Sequence, residues 1–187
     1  YGDQKKFPIS ENFEKKPKNP YAKTKLESEK IVIKTLKKSK SKYIIFRFFT
    51  VYGPYGRPDM FIHKFLHSMK KNKEINIYNS GKNLRDFTYI DDVSKILIKS
   101  LNKKIYNKIL NICRSNPILT NKLIDLLISN YSKKKKIKLN KIDFVEGEVL
   151  KTHGSNKNLK KTFGKLIFTD IKKGIKNTVK SFKINNA

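Results

Sequence analysis

From Tyr43 to Phe49 the chain reads Tyr-Ile-Ile-Phe-Arg-Phe-Phe, apolar and β-branched throughout except at Arg47. A strand with one face in water alternates apolar with polar residues, whereas a strand covered on both faces does not. The run therefore predicts a strand buried on both faces, as in the parallel sheet of an α/β protein. Gly53-Pro54-Tyr55-Gly56-Arg57-Pro58 follows as a loop. Ligands of open α/β sheets bind outside the carboxyl ends of strands, so this loop is where function is to be sought.

Strand and helix patterns alternate on either side. Residues 5–20 form a polar loop with Pro8, Pro17 and Pro20. A helix is predicted from Pro20 to about Lys38, with Ala22, Leu26, Ile33 and Leu36 on one face. A second runs from Asp59 to Lys71 and carries Phe61, Phe65, Leu66 and Met69. Ile75 to Tyr78 reads as a short strand and Asn79 to Asn83 as a turn. Asp91 and Asp92 are expected to cap a helix ending near Leu101, with Val93, Ile96 and Leu97 inward. Strands at Lys108–Ile112 and Lys136–Phe144 and helices over 121–131, 156–163 and 170–182 complete the pattern. At 187 residues the chain can bury one sizeable core, which suggests a single domain.

Composition removes several function classes. The sequence has no apolar run of about 18 residues and no visible signal peptide, so no membrane association is expected. Cys113 is alone, which excludes an internal disulfide framework and fits a cytoplasmic protein with a buried structural thiol. The net charge is +29, yet its lysines are scattered over every segment and accompany an Asn- and Ile-rich bias expected of an AT-rich coding sequence. Binding of nucleic acid wants basic residues gathered on one stripe with stacking aromatics, so it is not expected here. The densest run, Lys133 to Lys136, reads as a solvated turn. His63 and His67 lie four apart without the Glu of H-E-x-x-H or an evident third ligand, so no metal site is expected.

The chemically pointed stretch is Asn19-Pro20-Tyr21-Ala22-Lys23-Thr24-Lys25. Asn19 can cap the helix and Pro20 suits its first position, where a missing N–H costs nothing. Residues four apart stand one above the other on a helix, so the Tyr21 phenol and the Lys25 ammonium are held side by side. A neighbouring positive charge favours the phenolate, which makes a general base of a tyrosine.

Asn-Pro-Tyr-Ala-x-x-Lys resembles the catalytic helix of the extended short-chain dehydrogenase/reductase superfamily, the sugar-nucleotide epimerases and dehydratases. Residues 47–60, Arg-Phe-Phe-Thr-Val-Tyr-Gly-Pro-Tyr-Gly-Arg-Pro-Asp-Met, look like a segment of the UDP-glucuronate 4-epimerases. Arg85-Asp86-Phe87-Thr88-Tyr89-Ile90-Asp91-Asp92 is similar to a third block of the family. Glu146-Gly147-Glu148-Val149-x-x-Thr152-His153 resembles a fourth, near the substrate nucleotide. Val145 departs from an arginine of the family there, and Glu148 from an aspartate.

The resemblance implies the C-terminal portion of a Rossmann-like parallel sheet plus a small α/β substrate-binding region. Residues 1–55 and 85–113 would belong mainly to the sheet and helix core, and 56–84 and 114–187 to the substrate region, in one partial domain over 1–187. Tyr1-Gly2-Asp3 resembles the end of a block whose catalytic Ser or Thr would fall before residue 1, and no Gly-x-Gly-x-x-Gly turn occurs in the chain. The N-terminal dinucleotide-binding half is thus expected to be absent, and the 187 residues alone are not expected to bind NAD tightly or to turn over.

The reaction implied is C4 epimerisation of UDP-glucuronate to UDP-galacturonate through a 4-keto intermediate, with NAD as cofactor and a homodimer as the full-length form. Tyr21 would take the hydroxyl proton, and Lys25 would hold both the phenolate and the nicotinamide ribose. Phe49 would lie by the nicotinamide. Thr50 and Arg57 would meet the C5 carboxylate, Tyr78 the uracil and Arg85 the diphosphate. A nucleotide-sugar 4,6-dehydratase is the alternative within the superfamily, and a non-catalytic basic binding module the alternative outside it.

Overall fold

The structure, a computed structural model, describes residues 1–39, 41–132, 137–143 and 149–185. The Lys133–Lys136 run, Val145 and Glu148 lie outside the described residues.

Helix α1 spans Pro20–Lys37, and the Asn19 side chain accepts from Ala22 N at 2.8 Å, so the local capping chemistry operates as expected. The predicted stripe of Ala22, Leu26, Ile33 and Leu36 is only half-buried, and no residue of α1 is fully buried. Glu29 lies on the same stripe and is half-buried too.

The strands are β1 (Ile44–Phe48), β2 (Thr50–Tyr52), β3 (Ile75–Tyr78), β4 (Leu84–Arg85), β5 (Phe87–Tyr89), β6 (Lys108–Ile112), β7 (Ile118–Leu119) and β8 (Leu139–Ile142). β1 pairs with β6, β2 with β5 and β3 with β8, all parallel, while β4 and β7 pair antiparallel. The expected parallel α/β architecture is therefore present. Two expectations change. β1 is half-buried instead of covered on both faces, and Phe48 is 52% exposed, because among the described strands only β6 lies beside it. The strand expected over 136–144 is confined to β8 within the described residues.

The remaining helices are α2 (Phe61–Lys71), α3 (Ile90–Leu101), α4 (Thr120–Tyr131), α5 (Lys157–Phe163) and α6 (Ile171–Asn185). Phe65, Leu66 and Met69 of α2, Leu123 and Leu127 of α4, and Ile175, Val179 and Phe182 of α6 close one core around β3 and the rings of Tyr52, Phe87 and Tyr89. Gly174 lets α6 approach this core, since a Cβ there would stand 2.0 Å from the Tyr52 hydroxyl oxygen. A second core joins Val93 and Ile96 of α3 to Leu110 and Ile112 of β6 and to Leu159 and Phe163 of α5. No described helix is long and apolar enough to cross a membrane.

Asp91 and Asp92 lie within α3, and neither caps it. α3 starts at Ile90 after Tyr89, with no side-chain bond at its cap. Asp92 is buried, and its carboxylate accepts from Thr169 N at 2.7 Å and from Thr169 Oγ1 at 2.9 Å. A charge this deep must find donors, and Thr169 brings two from far along the chain. Both aspartates still lie in the first turn, where negative charge suits the helix dipole.

His63 and His67 both have partners. His63 Nε2 lies 2.9 Å from Gly53 O and 3.1 Å from Gly56 N, so either tautomer ties the 53–58 loop to α2. His67 packs edge-on against Phe182 at 4.9 Å.

Phe65 has no exposed surface and meets both α-helical and strand partners, so truncation leaves a cavity that rigid neighbours cannot close. Phe65→Ala should lower the unfolding free energy of the chain by about 3–5 kcal/mol in urea titrations, whereas Ile31→Ala on exposed α1 should move it by less than about 0.5 kcal/mol.

Candidate functional site

The first turn of α1 presents Tyr21, 70% exposed, with the Lys25 ammonium 5.5 Å from its ring centroid. The predicted pairing of phenol and ammonium is thus in place, and it faces solvent. A helix that buries no residue needs something besides apolar packing to hold it, and β1 supplies it. Arg47 donates from Nε to Glu29 Oε2 at 2.9 Å and from Nη2 to Glu29 Oε1 at 2.5 Å. Both side chains are nearly covered, at 13% and 14% exposed.

The other edge of the guanidinium is also occupied. Arg47 Nη1 donates to the Tyr1 hydroxyl at 2.7 Å and to Glu11 O at 2.9 Å. The Tyr1 hydroxyl donates to Asn111 Oδ1 at 2.6 Å, and the Glu11 carboxylate accepts from Asn111 N at 2.8 Å and from Asn158 Nδ2 at 2.7 Å. Burial opposes the charge on Arg47, but its hydrogen bonds with Glu29 and Tyr1 outweigh that and hold its pKa above the ordinary arginine value. Burial pushes the Tyr1 phenol up, against the pull of Arg47 and Asn111, so it stays a neutral donor in the chain of bonds.

At the carboxyl end of β1 the ring of Phe49 is half-buried, and Phe49 N donates to Ile112 O at 3.1 Å, carrying the sheet one residue further. Gly154 lies against this ring. A Cβ there would stand 2.6 Å from both the Phe49 ring and Cys113 Sγ, so only glycine permits the contact. Asp86 fixes Gly154. Its carboxylate, wholly buried, accepts from Gly154 N at 3.0 Å and from Ser115 N at 3.1 Å, while Asp86 N donates to Thr152 Oγ1 at 3.0 Å. Burial pushes the Asp86 carboxyl above the usual carboxylate range, although these backbone donors pull it down. Cys113 is buried, and burial pushes its thiol far above the ordinary value.

Thr50 begins β2, in register with Phe87. Arg57 is on the exposed loop with its side chain 75% open, and donates from Nε and Nη2 to the two Asp59 carboxylate oxygens at 3.0 and 2.6 Å. Those bonds hold the Asp59 carboxyl below its usual range. Tyr78 ends β3 with its ring partly open, and Arg85 is half-buried on β4, its Nη1 3.2 Å from Leu84 O. The structure thus pairs Tyr21 with Lys25 and sets Phe49 against Gly154, while Arg57 pairs with Asp59 on its own loop and Tyr78 and Arg85 belong to β3 and β4.

Sequence reasoning missed the residues that hold these in place. Arg47 carried a signal, as the one charge in an apolar run, and Glu29 another, as a carboxylate on an apolar helix stripe. Asp86 carried only its place in the family-like block 85–92, which says nothing of its buried partners.

Residues 1–113 match the NAD dependent epimerase/dehydratase family. An uncharacterized protein of Methanocaldococcus jannaschii is 36% identical over 94% of the chain and 54% of its own length. UDP-glucuronate 4-epimerase of Thermodesulfobacterium geofontis is 35% identical over 90% of the chain and 52% of its own length. Among solved structures, UDP-glucuronic acid 4-epimerase from Bacillus cereus, in complex with UDP-glucuronic acid and NAD, superposes with a TM-score of 0.89 at 28% identity, over 98% of the chain and 58% of that structure. The chain spans about half the length of the curated relatives it matches.

The Cys113 environment leads to a direct check. A thiol held protonated in a closed seam reacts slowly, since the thiolate is the nucleophile. Iodoacetamide at pH 8 should leave Cys113 unmodified in the folded chain and label it fully in urea, read by intact mass; fast labelling without denaturant would contradict the packing described.

Proposed function

The chain belongs to the NAD dependent epimerase/dehydratase family, and on that premise we propose that it carries the proton-transfer and sugar-binding side of an NAD-dependent UDP-glucuronate 4-epimerase. The observation that carries this reading is the Tyr21–Lys25 pair, with the ammonium 5.5 Å from the centroid of the phenol ring in the exposed first turn of α1.

Tyr21 accepts the proton of the C4 hydroxyl and returns it after the ring has turned over. Lys25, its ammonium 5.5 Å from the centroid of the Tyr21 ring, is the cation assigned to the nicotinamide ribose. Lys25 and Phe49 would flank bound NAD, which would supply the reversible hydride exchange at C4, held as NADH while the sugar is a 4-ketone and given back to its other face. Phe49 suits a nicotinamide neighbour: its ring is backed by Gly154, with no Cβ between, so it offers a flat apolar wall that keeps water from that side. Arg85 suits a diphosphate, which a planar guanidinium can grip through two oxygens. Tyr78 offers a partly open ring for the uracil to stack on.

The uronate carboxylate falls to Arg57 and Thr50. Arg57 already binds a carboxylate, that of Asp59, in the two-pronged manner that a sugar carboxylate would need. The pair is exposed, so exchange of one carboxylate for another costs little.

In the full-length protein Tyr21→Phe should keep substrate binding and lower kcat by roughly 100-fold or more, the usual worth of a positioned acid–base group. Near-normal turnover would remove α1 from the chemistry. Arg57→Ala should lower kcat/KM for UDP-glucuronate at least about tenfold more than for UDP-glucose, because only the former brings a carboxylate to be matched. An unchanged ratio of the two would exclude Arg57 as the uronate ligand.

A further inference from the structure

We propose that the Arg47–Glu29 pair fixes the rotation of α1 about its axis and thereby aims Tyr21 and Lys25, which makes Arg47 and Glu29 positioning residues of the site. What they aim at rests on the epimerase reading; that they seat the helix does not.

Each member is out of place in its own element and in place only with the other. Arg47 is the one charge in the apolar run 43–49. Glu29 falls seven residues after Ala22 and seven before Leu36, in the row that Leu26 and Ile33 complete, where an apolar residue would serve packing better. A half-buried stripe that includes no fully buried side chain resists rotation weakly, since turning the helix trades one partly covered apolar contact for another. Two parallel N–H···O bonds at 2.9 and 2.5 Å tolerate no such slip. Covered ion pairs contribute little net stability compared with apolar packing, and their best-attested use is to specify register.

The clamp is anchored at its far side. Tyr1 and the Glu11 carbonyl hold the remaining guanidinium edge, and Asn111 of β6 and Asn158 of α5 hold them in turn. Rotation of α1 would therefore have to break a network that reaches across the sheet into the second core.

The pair also protects the Tyr21–Lys25 contact. Glu29 lies four residues after Lys25, the spacing at which a helical carboxylate and an ammonium attract each other. With both oxygens bound by Arg47, Glu29 leaves Lys25 to the phenol. Without Arg47, the freed carboxylate would draw Lys25 one turn away from Tyr21.

Two measurements test this. In the 187-residue chain, Arg47→Met should speed hydrogen exchange of the α1 amides by about tenfold or more while those of α4 keep their rates, and Arg47→Met with Glu29→Leu should restore much of the protection because no charge is orphaned. Glu29→Gln, which keeps the shape of the side chain, should show the same local change to a smaller degree if Arg47→Met does not fold. Uniform loss of protection in all helices, or none in α1, would overturn the clamp. In the full-length enzyme Glu29→Gln should lower kcat by about tenfold with the KM for the nucleotide sugar unchanged, a split that mere loss of stability does not produce. Unchanged kcat would overturn the aiming. A wild-type enzyme without epimerase activity would overturn the functional reading instead, and the exchange experiment would still decide the clamp.

Discussion

One guanidinium inside the sheet organises much of this chain. Arg47 enters a strand of Ile and Phe with its side chain only 13% exposed, so the N–H groups that point inward must be met by the protein. Glu29 meets two, the Tyr1 hydroxyl and the Glu11 carbonyl share a third group, and these partners need partners themselves. The result is a seam that joins the first residue of the chain, the loop after it, α1, β1, β6 and α5. Networks of this kind reward completeness, since a missing member leaves another buried and unmatched.

A second seam closes the carboxyl end of the sheet. Asp86 has no route to solvent, and it stays acceptable there because Gly154 N and Ser115 N aim at its two oxygens. Asn156 completes the arrangement by donating to the Cys113 and Arg114 carbonyls. Residues far apart in sequence are thereby brought against Phe49 with no freedom to drift. Both seams serve the same end, which is to hold exposed side chains by means of buried polar ones.

This explains what was legible in the sequence. The start of α1 could be read because Asn19, Pro20 and the first-turn amides interact within four residues. The Tyr21–Lys25 contact could be read for the same reason, and β1, α2 and α4 from their periodicity or apolar runs. Asp92 was misread because a cap is a local expectation, and its true partner, Thr169, lies 77 residues away. β2, β4, β5 and β7 have two or three residues each, too few for a period, and exist only through their pairing partners. The burial of β1 was overstated because a sequence reveals what a strand could cover, not how many neighbours it has. Arg47 and Glu29 were each visible as exceptions, but only three-dimensional structure joins them.

The contrast between Arg47 and Arg57 bears on how such a site can work. Each arginine holds a carboxylate through two nitrogens, so the contacts on paper are alike. In the sheet the pair is covered and has no competitor, and exchange would strand two charges. On the loop, water and other anions reach the Arg57 guanidinium freely, and salt screens what remains of its hold on Asp59. The first arrangement suits a direction that must not change during turnover, and the second suits a ligand that must arrive and leave. A proton acceptor is useful only when its aim is fixed before the substrate binds, because geometry assembled afterwards would consume binding energy. The chain builds both arrangements from the same ion-pair chemistry, and burial is what separates them.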